Sequence, residues 1–305
     1  MISIAMTTYN GSKYLQEQLN SILSQTEKDF ELIICDDCST DSTTEIINNY
    51  KKKDSRIHFF KNPVNLGYAK NFEKAISLCK GEYIALSDQD DIWLPDHLTV
   101  LLEHLKSCNC SLVGGNALLV DSNNNDLNCK LINNNNLPTE TKDFNRMILY
   151  RNIFQGAAVL FEKDILKNAL PFPNSMKYHD WWLALVASEL KGVNYINIPV
   201  LRYRQHDNNA SGDHLKDSFI QRVKKFFNSD LQGNSSKTIS ILEKFKTISI
   251  QKQTIEQVLD YAMKCKEKKF SAFRYFNKHY KEIYFNESYF KCIVRKTKLL
   301  LNIIL

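Results

Sequence analysis

Four short apolar runs, Ile2-Met6, Glu31-Cys35, Arg56-Phe60 and Glu82-Leu86, are rich in β-branched and aromatic residues. Between them, apolar residues recur at helical spacing: Tyr14-Leu15, Leu19 and Ile22-Leu23, then Ile46-Ile47 and Tyr50, then Phe72, Ala75-Ile76 and Cys79. This βαβαβαβ alternation predicts a parallel sheet covered by helices, with ligands bound outside the carboxyl ends of the strands. Each run ends in polar residues: Thr7-Thr8-Tyr9-Asn10, Asp36-Asp37-Cys38-Ser39, Asn62-Pro63-Val64-Asn65-Leu66-Gly67 and Ser87-Asp88-Gln89-Asp90-Asp91. All four ends are expected to converge on one crevice.

Further along, the pattern predicts a helix over 95–107, a strand over 111–120 and an Asn-rich loop over 123–136. Two more strands, 154–161 and 195–203, bracket an aromatic-rich helix that begins near His179. Beyond Gly212 the pattern turns helical, and the charge changes sign. Of the 40 Lys/Arg and 34 Asp/Glu in the 305 residues, 19 basic and 9 acidic ones lie after Gly212, a net of +10 against −4 before it. The acidic part carries the motifs, and the basic part reads as a contact surface. With 43% hydrophobic content the chain is long enough for about two domains, divided here as 1–212 and 213–305. No run approaches the roughly 18 apolar residues of a membrane span, and the start carries no basic leader, so a cytosolic protein is expected. The eight cysteines show no zinc spacing and read as thiols.

Asp88-Gln89-Asp90-Asp91 crowds three carboxylates onto one loop at the sheet edge, where repulsion calls for a cation. Hard oxygen ligands of this kind suit Mg²⁺ or Mn²⁺, which keep positions open for substrate phosphates. Asp37 closes the second strand, where a carboxylate in a doubly wound sheet can bond a nucleotide's sugar or base. A dinucleotide dehydrogenase would need G-x-G-x-x-G after the first strand, but that turn reads Thr7-Thr8-Tyr9-Asn10-Gly11, and there is no phosphate-cradling G-x-x-x-x-G-K-[ST] either. Lys70 and Asn71 follow the Asn65-Leu66-Gly67 turn, where they can reach the nucleotide or start a helix. Trp93, Trp181 and Trp182 offer faces that match the apolar side of a sugar ring, or pack in the core; Trp93 and Trp181 are the acceptor candidates.

These motifs, together with Ser24-Gln25-Thr26, Asp36-Asp37-Cys38-Ser39-Thr40-Asp41, Lys70-Asn71-Phe72, His179-Asp180-Trp181-Trp182-Leu183 and Tyr203-Arg204-Gln205-His206, resemble the family 2 glycosyltransferases. The resemblance covers about residues 1 to 212 and is nearest to the bacterial rhamnosyltransferase-like branch. It implies the GT-A fold, a Rossmann-like mixed sheet, here with a helical C-terminal extension. It also implies an inverting, metal-dependent transfer of a sugar from a nucleoside diphosphate to an acceptor hydroxyl. Thr7, Tyr9 and Asp37 then match the nucleoside pocket, joined by Asn65, Gly67 and Lys70. Asp88 and Asp90 match the metal and diphosphate site, Gly156 the small-residue turn beside the donor sugar, and Asp180 the catalytic base. His206 falls where related enzymes supply a metal ligand, and Arg204 where a guanidinium can pair with phosphate. The donor that fits the branch is thymidine diphosphate L-rhamnose; a uridine diphosphate hexose or N-acetylhexosamine is the alternative.

A nucleotidyltransferase would carry a glycine-rich basic loop after the first strand, and only Gly11 is there. A non-catalytic scaffold would have lost the carboxylates, yet Asp88, Asp90 and Asp180 are all present. The C-terminal segment interleaves Phe270, Phe273, Tyr275, Phe276, Tyr280, Tyr284, Phe285, Tyr289 and Phe290 with lysines and arginines. That composition suits an anionic lipid surface, at about 1 kcal/mol per basic residue, and an undecaprenyl-linked saccharide acceptor on the cytoplasmic face of the membrane. A homodimer interface is the competing use; nucleic acid is not expected, since no binding motif accompanies the charge.

Overall fold

In a computed structural model, residues 1–132, 137–138, 140–150, 152–173, 178–206, 236–267, 270–283 and 299 are described. The chain divides into two compact units. Met1–Asn133, Phe154–Phe172 and Tyr178–His206 form the first; Asn134–Ile153, Pro173–Lys177 and Asp207–Leu305 form the second. The boundary expected at Gly212 and the segments 284–298 and 300–305 of the basic tail lie outside the described residues.

The first unit is built on a nine-stranded mixed sheet. Its parallel half is β1 (Ile2–Thr8), β2 (Phe30–Asp36), β3 (Ile57–Lys61) and β4 (Tyr83–Ser87) in the order β3-β2-β1-β4, joined through α1 (Leu15–Leu23), α2 (Thr43–Lys51) and α3 (Tyr68–Ser77). The predicted alternation is therefore present, and its strands read as continuous apolar runs because both faces are covered: every residue of β1 and β2 is buried. Leu15, Leu19 and Ile22 of α1 and Phe72, Ala75 and Ile76 of α3 are the stripes that cover them.

The other half mixes directions. It comprises β5 (Ile92–Trp93), β6 (Leu112–Val120), β7 (Asp126–Lys130), β8 (Val159–Glu162) and β9 (Val193–Arg204), with α4 (His97–Cys108) after β5 and α7 (His179–Ser188) before β9. β8 runs antiparallel to both β4 and β6, and β9 is parallel to β6. Two reversals cancel, so β6 and β9 point the same way as β1, β2 and β4. The carboxyl ends of all five strands thus lie on one edge. The path ends β4-β8-β6-β9-β5, yet only Asp88–Asp91 separates β4 from β5. Four strand spacings laid flat would span about 19 Å, and the five peptide steps from Ser87 to Ile92 reach at most about 18 Å. The sheet must curl, and the acidic loop crosses the mouth of the curl.

Three sequence expectations shift. The Asn-rich segment contains strand β7, which pairs with β6. The strand expected from Phe154 begins at Val159 after a short 3₁₀ turn, Gly156–Ala158. Cys108 and Cys110, expected as thiols, are joined in a disulfide at the end of α4. Trp181 to Ser188 of α7 are all buried, as a helix that is apolar all round must be.

The second unit contains α5 (Thr141–Met147), α8 (Ser236–Ile248), α9 (Lys252–Lys266) and α10 (Phe270–Ile283), with the short α6 (Leu166–Ala169) belonging to the first. Ile241, Leu242 and Phe245 of α8 and Ile255, Val258 and Ala262 of α9 are buried where the two helices pack. Tyr275 of α10 stacks on Tyr261 and bonds the Tyr150 hydroxyl at 3.1 Å. Among the described residues, no helix is long and apolar enough to cross a membrane.

The turn entering α3 depends on Gly67, whose φ of 78° and ψ of 159° lie where only glycine sits without strain. An added Cβ would meet nothing within 4 Å, so Gly67→Ala carries the backbone cost alone. Its urea midpoint should fall by the equivalent of about 1–3 kcal/mol; an unchanged midpoint would show that the turn relaxes freely.

Candidate functional site

At the shared edge, the loop after β4 and the end of β9 are locked together by Arg204, 1% exposed. Its backbone N–H donates to Asp91 Oδ1 at 3.2 Å, its Nε to the Asp90 carbonyl at 2.8 Å and its Nη1 to the Ser122 carbonyl at 3.1 Å. Its Nη2 pairs with Glu17 of α1, and the guanidinium lies 4.6 Å from the Tyr14 ring centroid. Arg204, the candidate phosphate contact, places these donors on the protein's own acceptors, as a buried guanidinium must.

Two residues later, His206 Nε2 meets Asp90 Oδ2 at 2.9 Å, and the imidazole stacks on Tyr14. Asp88 Oδ1 instead accepts the Tyr68 hydroxyl at 3.2 Å. Enclosure, then the charges of Asp90 and Asp180, raise the Asp88 carboxyl to about 7, while the Tyr68 hydrogen bond opposes the rise. Burial, then Asp90 and Asp88, push Asp91 well above the usual carboxylate range. Enclosure of its hydroxyl, followed by the charges of Asp88 and Asp180, raises Tyr68 well above the usual phenol. These shifts place Asp88, Asp90, Asp180 and Tyr68 in one electrostatic neighbourhood.

Asp180 enters through the first turn of α7, where it accepts the Trp181 N–H at 2.8 Å and the helix dipole favours a carboxylate. Beside it, His179 is 2% exposed and stacks on Phe72 with centroids 4.4 Å apart. Burial holds its imidazole down to about 3, so it is neutral at any working pH. Gly156 lies against this pair: an added Cβ would sit 3.3 Å from His179 Nε2 and 3.9 Å from Asp180 Cβ. A side chain there would press directly on the ring next to Asp180.

At the other end of the crevice, Thr8 pairs in register with Asp36, which brings Thr7 and Tyr9 beside Asp37. Tyr9 is 51% exposed, whereas Asp37 is 3% exposed. The Asp37 carboxylate accepts Asn62 Nδ2 and the Leu66 and Gly67 N–H groups, all at 2.7–2.8 Å. Asp37, the nucleoside candidate, thereby shapes the 65–67 turn, and Asn65 returns a hydrogen bond to the Asp37 carbonyl. Lys70 pairs with Glu73 one turn along α3 at 2.8 Å. Trp93, an acceptor candidate, is 2% exposed and stacked on His97 at 3.8 Å within the hydrophobic core. Trp181 is 3% exposed. Burial of this order leaves neither tryptophan an open face for a sugar, because the apolar bodies of both rings are worth more in the core.

Among the described residues, no three His, Cys, Asp or Glu side chains gather at metal-binding geometry. Asp90 and His206 form a pair, and Asp88, repelled by Asp90, is turned to Tyr68. Two carboxylates and an imidazole are nonetheless the donor chemistry that Mg²⁺ or Mn²⁺ accepts when substrate oxygens and water complete its shell. The residues fit such an ion as a partial, open set.

Four residues that organise the edge carry no ionic signal in the sequence. Gln89 clasps the backbone of Tyr9 from both sides, accepting its N–H at 2.8 Å and donating to its carbonyl at 3.1 Å. Gln25 ties the segment after the acidic loop to α1 through the Leu94 carbonyl and the Leu98 N–H. Gln18 bonds Ser87, and Ser21 accepts the Trp93 N–H.

The family model "Glycosyl transferase family 2" matches residues 3–168. An uncharacterized glycosyltransferase, MJ1057, of Methanocaldococcus jannaschii is 30% identical over 74% of the chain and 75% of its own length. WfaP of Escherichia coli, described as a UDP-Glc:α-D-GlcNAc-diphosphoundecaprenol β-1,3-glucosyltransferase, is 29% identical over 72% of the chain and 84% of its own. The dTDP-rhamnosyl transferase RfbG of Shigella flexneri is also 29% identical, over 72% and 77%. Among solved structures, S. aureus TarS 1-349 in complex with UDP superposes with a TM-score of 0.59 at 17% identity, covering 99% of the chain and 80% of its own. The mannosyltransferase PcManGT from Pyrobaculum calidifontis, in complex with GDP-Man and Mn²⁺, gives 0.54 at 14%, covering 99% and 85%. These two establish the likeness of fold.

The raised Asp88 carboxyl has a consequence for stability. A carboxyl with a folded pKa near 7 binds its proton more tightly in the native state, so its contribution is present below pH 4 and lost as pH rises through 7. Asp88→Asn carries no such loss. With chelator present, its melting temperature should match the parent near pH 4 and exceed it by a few degrees above pH 7; a gap that does not change with pH would refute the assignment.

Proposed function

The chain belongs to glycosyl transferase family 2 and is a glycosyltransferase, and from this premise we infer that it transfers a sugar, with inversion, from a nucleoside diphosphate to a hydroxyl of a lipid-linked or growing surface polysaccharide. The observation that carries the reading is geometric: Asp88, beside Asp90 on the loop after β4, accepts the Tyr68 hydroxyl, and the Tyr68 ring meets His179, the neighbour of Asp180.

Inversion needs attack on the anomeric carbon from the face opposite the departing diphosphate. Asp180 is the base: it takes the proton of the acceptor hydroxyl as that oxygen forms its bond to the sugar and the bond to the diphosphate breaks. In the first turn of α7 the carboxylate accepts the Trp181 N–H at 2.8 Å, and Gly156 leaves the adjoining space open. Asp90 and His206, with Asp88 alongside, are the groups that would hold a divalent cation; when bound, it neutralises the charge that develops on the diphosphate. Thr7, Tyr9 and the 65–67 turn shaped by Asp37 line the nucleoside end.

For the donor, thymidine diphosphate L-rhamnose is the first choice, supported by the likeness to RfbG. Uridine diphosphate glucose or an N-acetylhexosamine donor is the second, supported at equal identity by the likeness to WfaP, whose printed acceptor is a diphosphoundecaprenol. A lipid-linked acceptor gives the basic, aromatic C-terminal helices a use, because anionic headgroups would hold the enzyme near it.

Thermal shift with Mn²⁺ and a panel of thymidine-, uridine- and guanosine-diphospho-sugars tests the class and names the nucleotide, since a ligand that binds only the native state raises its melting point. One donor should give a metal-dependent shift. Asp180→Asn should keep that shift while transfer falls by at least about a thousandfold. Asp90→Asn should lose the metal-dependent part. Equal donor affinity with and without metal would discard the cation, and transfer surviving in Asp180→Asn would discard the base.

A further inference from the structure

Tyr68 sits between the two ends of the proposed reaction. It is the first residue of α3, and its hydroxyl reaches Asp88 Oδ1 at 3.2 Å. Its ring meets two aromatic neighbours edge to face: Phe72 at 5.1 Å and His179 at 5.2 Å. His179 adjoins Asp180, whose charge is felt at the Tyr68 hydroxyl. Despite these contacts, Tyr68 is 44% exposed.

Each contact also fixes the ring. The Asp37 carboxylate holds the Gly67 N–H immediately before it, and Phe72 and His179 are themselves stacked and almost wholly buried. The exposed aromatic surface is therefore rigid, and a rigid ring meets a sugar at little entropic cost.

We propose that Tyr68 positions the transferred sugar, its exposed ring receiving the apolar C–H side of the pyranose of a nucleoside diphospho-sugar while its hydroxyl holds Asp88. This rests on the glycosyltransferase reading of the site. In an inverting displacement the sugar lies between the diphosphate and the base, and the side chain on the page that bridges Asp88 and the His179-Asp180 pair is Tyr68. Aromatic rings bind pyranoses through such faces because the ring quadrupole and the polarised C–H bonds match.

The inference separates the sugar from the nucleotide, and so does the test. Dissociation constants are measured for the donor that binds in the panel and for its bare nucleoside diphosphate, with the full chain and with Tyr68→Ala and Tyr68→Phe. Tyr68→Ala should weaken the nucleotide sugar by roughly three- to tenfold and leave the bare diphosphate within twofold. Tyr68→Phe keeps the ring and should retain most of the sugar-dependent affinity. With saturating donor, Tyr68→Ala should also raise the share of donor hydrolysed rather than transferred, which a purely structural role would not do. If Tyr68→Ala weakens both ligands equally, or neither, the inference fails while the function stands. If the parent chain binds no nucleotide sugar, the functional reading fails and the inference with it.

Discussion

Carboxylates gathered at the edge of a sheet repel one another, and the arrangement here depends on how Arg204 divides them. Its one positive charge does not neutralise the acidic loop by pairing with each side chain in turn. It binds the loop's backbone at the Asp90 carbonyl, and its own N–H takes Asp91 Oδ1. The guanidinium closes against Glu17 of α1, Tyr14 just before it and Ser122 beyond β6. Five donors in a planar fork allow this; an ammonium could not make the same set of contacts in one plane. Because Arg204 ends β9, the same bonds fix where His206 emerges, and so bring the imidazole to Asp90.

The curl of the sheet follows from the same connection. A four-residue loop that joins β4 to the far edge strand β5 can close only if the intervening strands bend toward it. Gln18 and Ser21 of α1 and Gln25 just after it then hold the residues flanking that loop, Ser87, Trp93 and Leu94, by neutral hydrogen bonds, which fix geometry without adding charge. Neutral amides and hydroxyls thus work beside the charged groups Arg204 and Asp37 in setting the backbone of this edge.

Legibility in the sequence divides between the strands and the side-chain roles. The parallel half was readable because each strand is an apolar run ended by polar residues and each helix shows one stripe, as at Leu15, Leu19 and Ile22. The gathering of strand ends also followed from topology, and the GT-A likeness supplied the order in which the motifs occur. Side-chain roles were less legible. Asp37 and Arg204 have the charge a ligand contact requires, but sequence does not reveal that they also bind the chain's own N–H groups and carbonyls. Trp93 has the shape of a sugar platform and lies in the core because β5 pairs with β9 and turns it inward. Tyr68, by contrast, stood in an unremarked position after a glycine turn; only the fold shows that its ring is exposed and its hydroxyl is beside Asp88.

The positions where simple rules fail are also informative as a group. Burial strips charge from His179, lifts the Asp91 carboxyl and raises Asp88 to about 7, so three groups that would ordinarily be solvated have been made costly at the same edge. Burial is not confined to this edge, since His97 in the core is likewise held down to about 3, but here the enclosed groups are carboxylates that also repel one another. A fold that merely displayed these motifs would gain by replacing Asp88 with a neutral residue, since native proteins lose stability with each charge they enclose. Retaining Asp88 beside Asp90 and Asp180, with Tyr68 donating to it, makes physical sense where a ligand supplies the opposing charge, and the energetic conflict at this edge is itself an argument that the site binds and turns over a charged substrate.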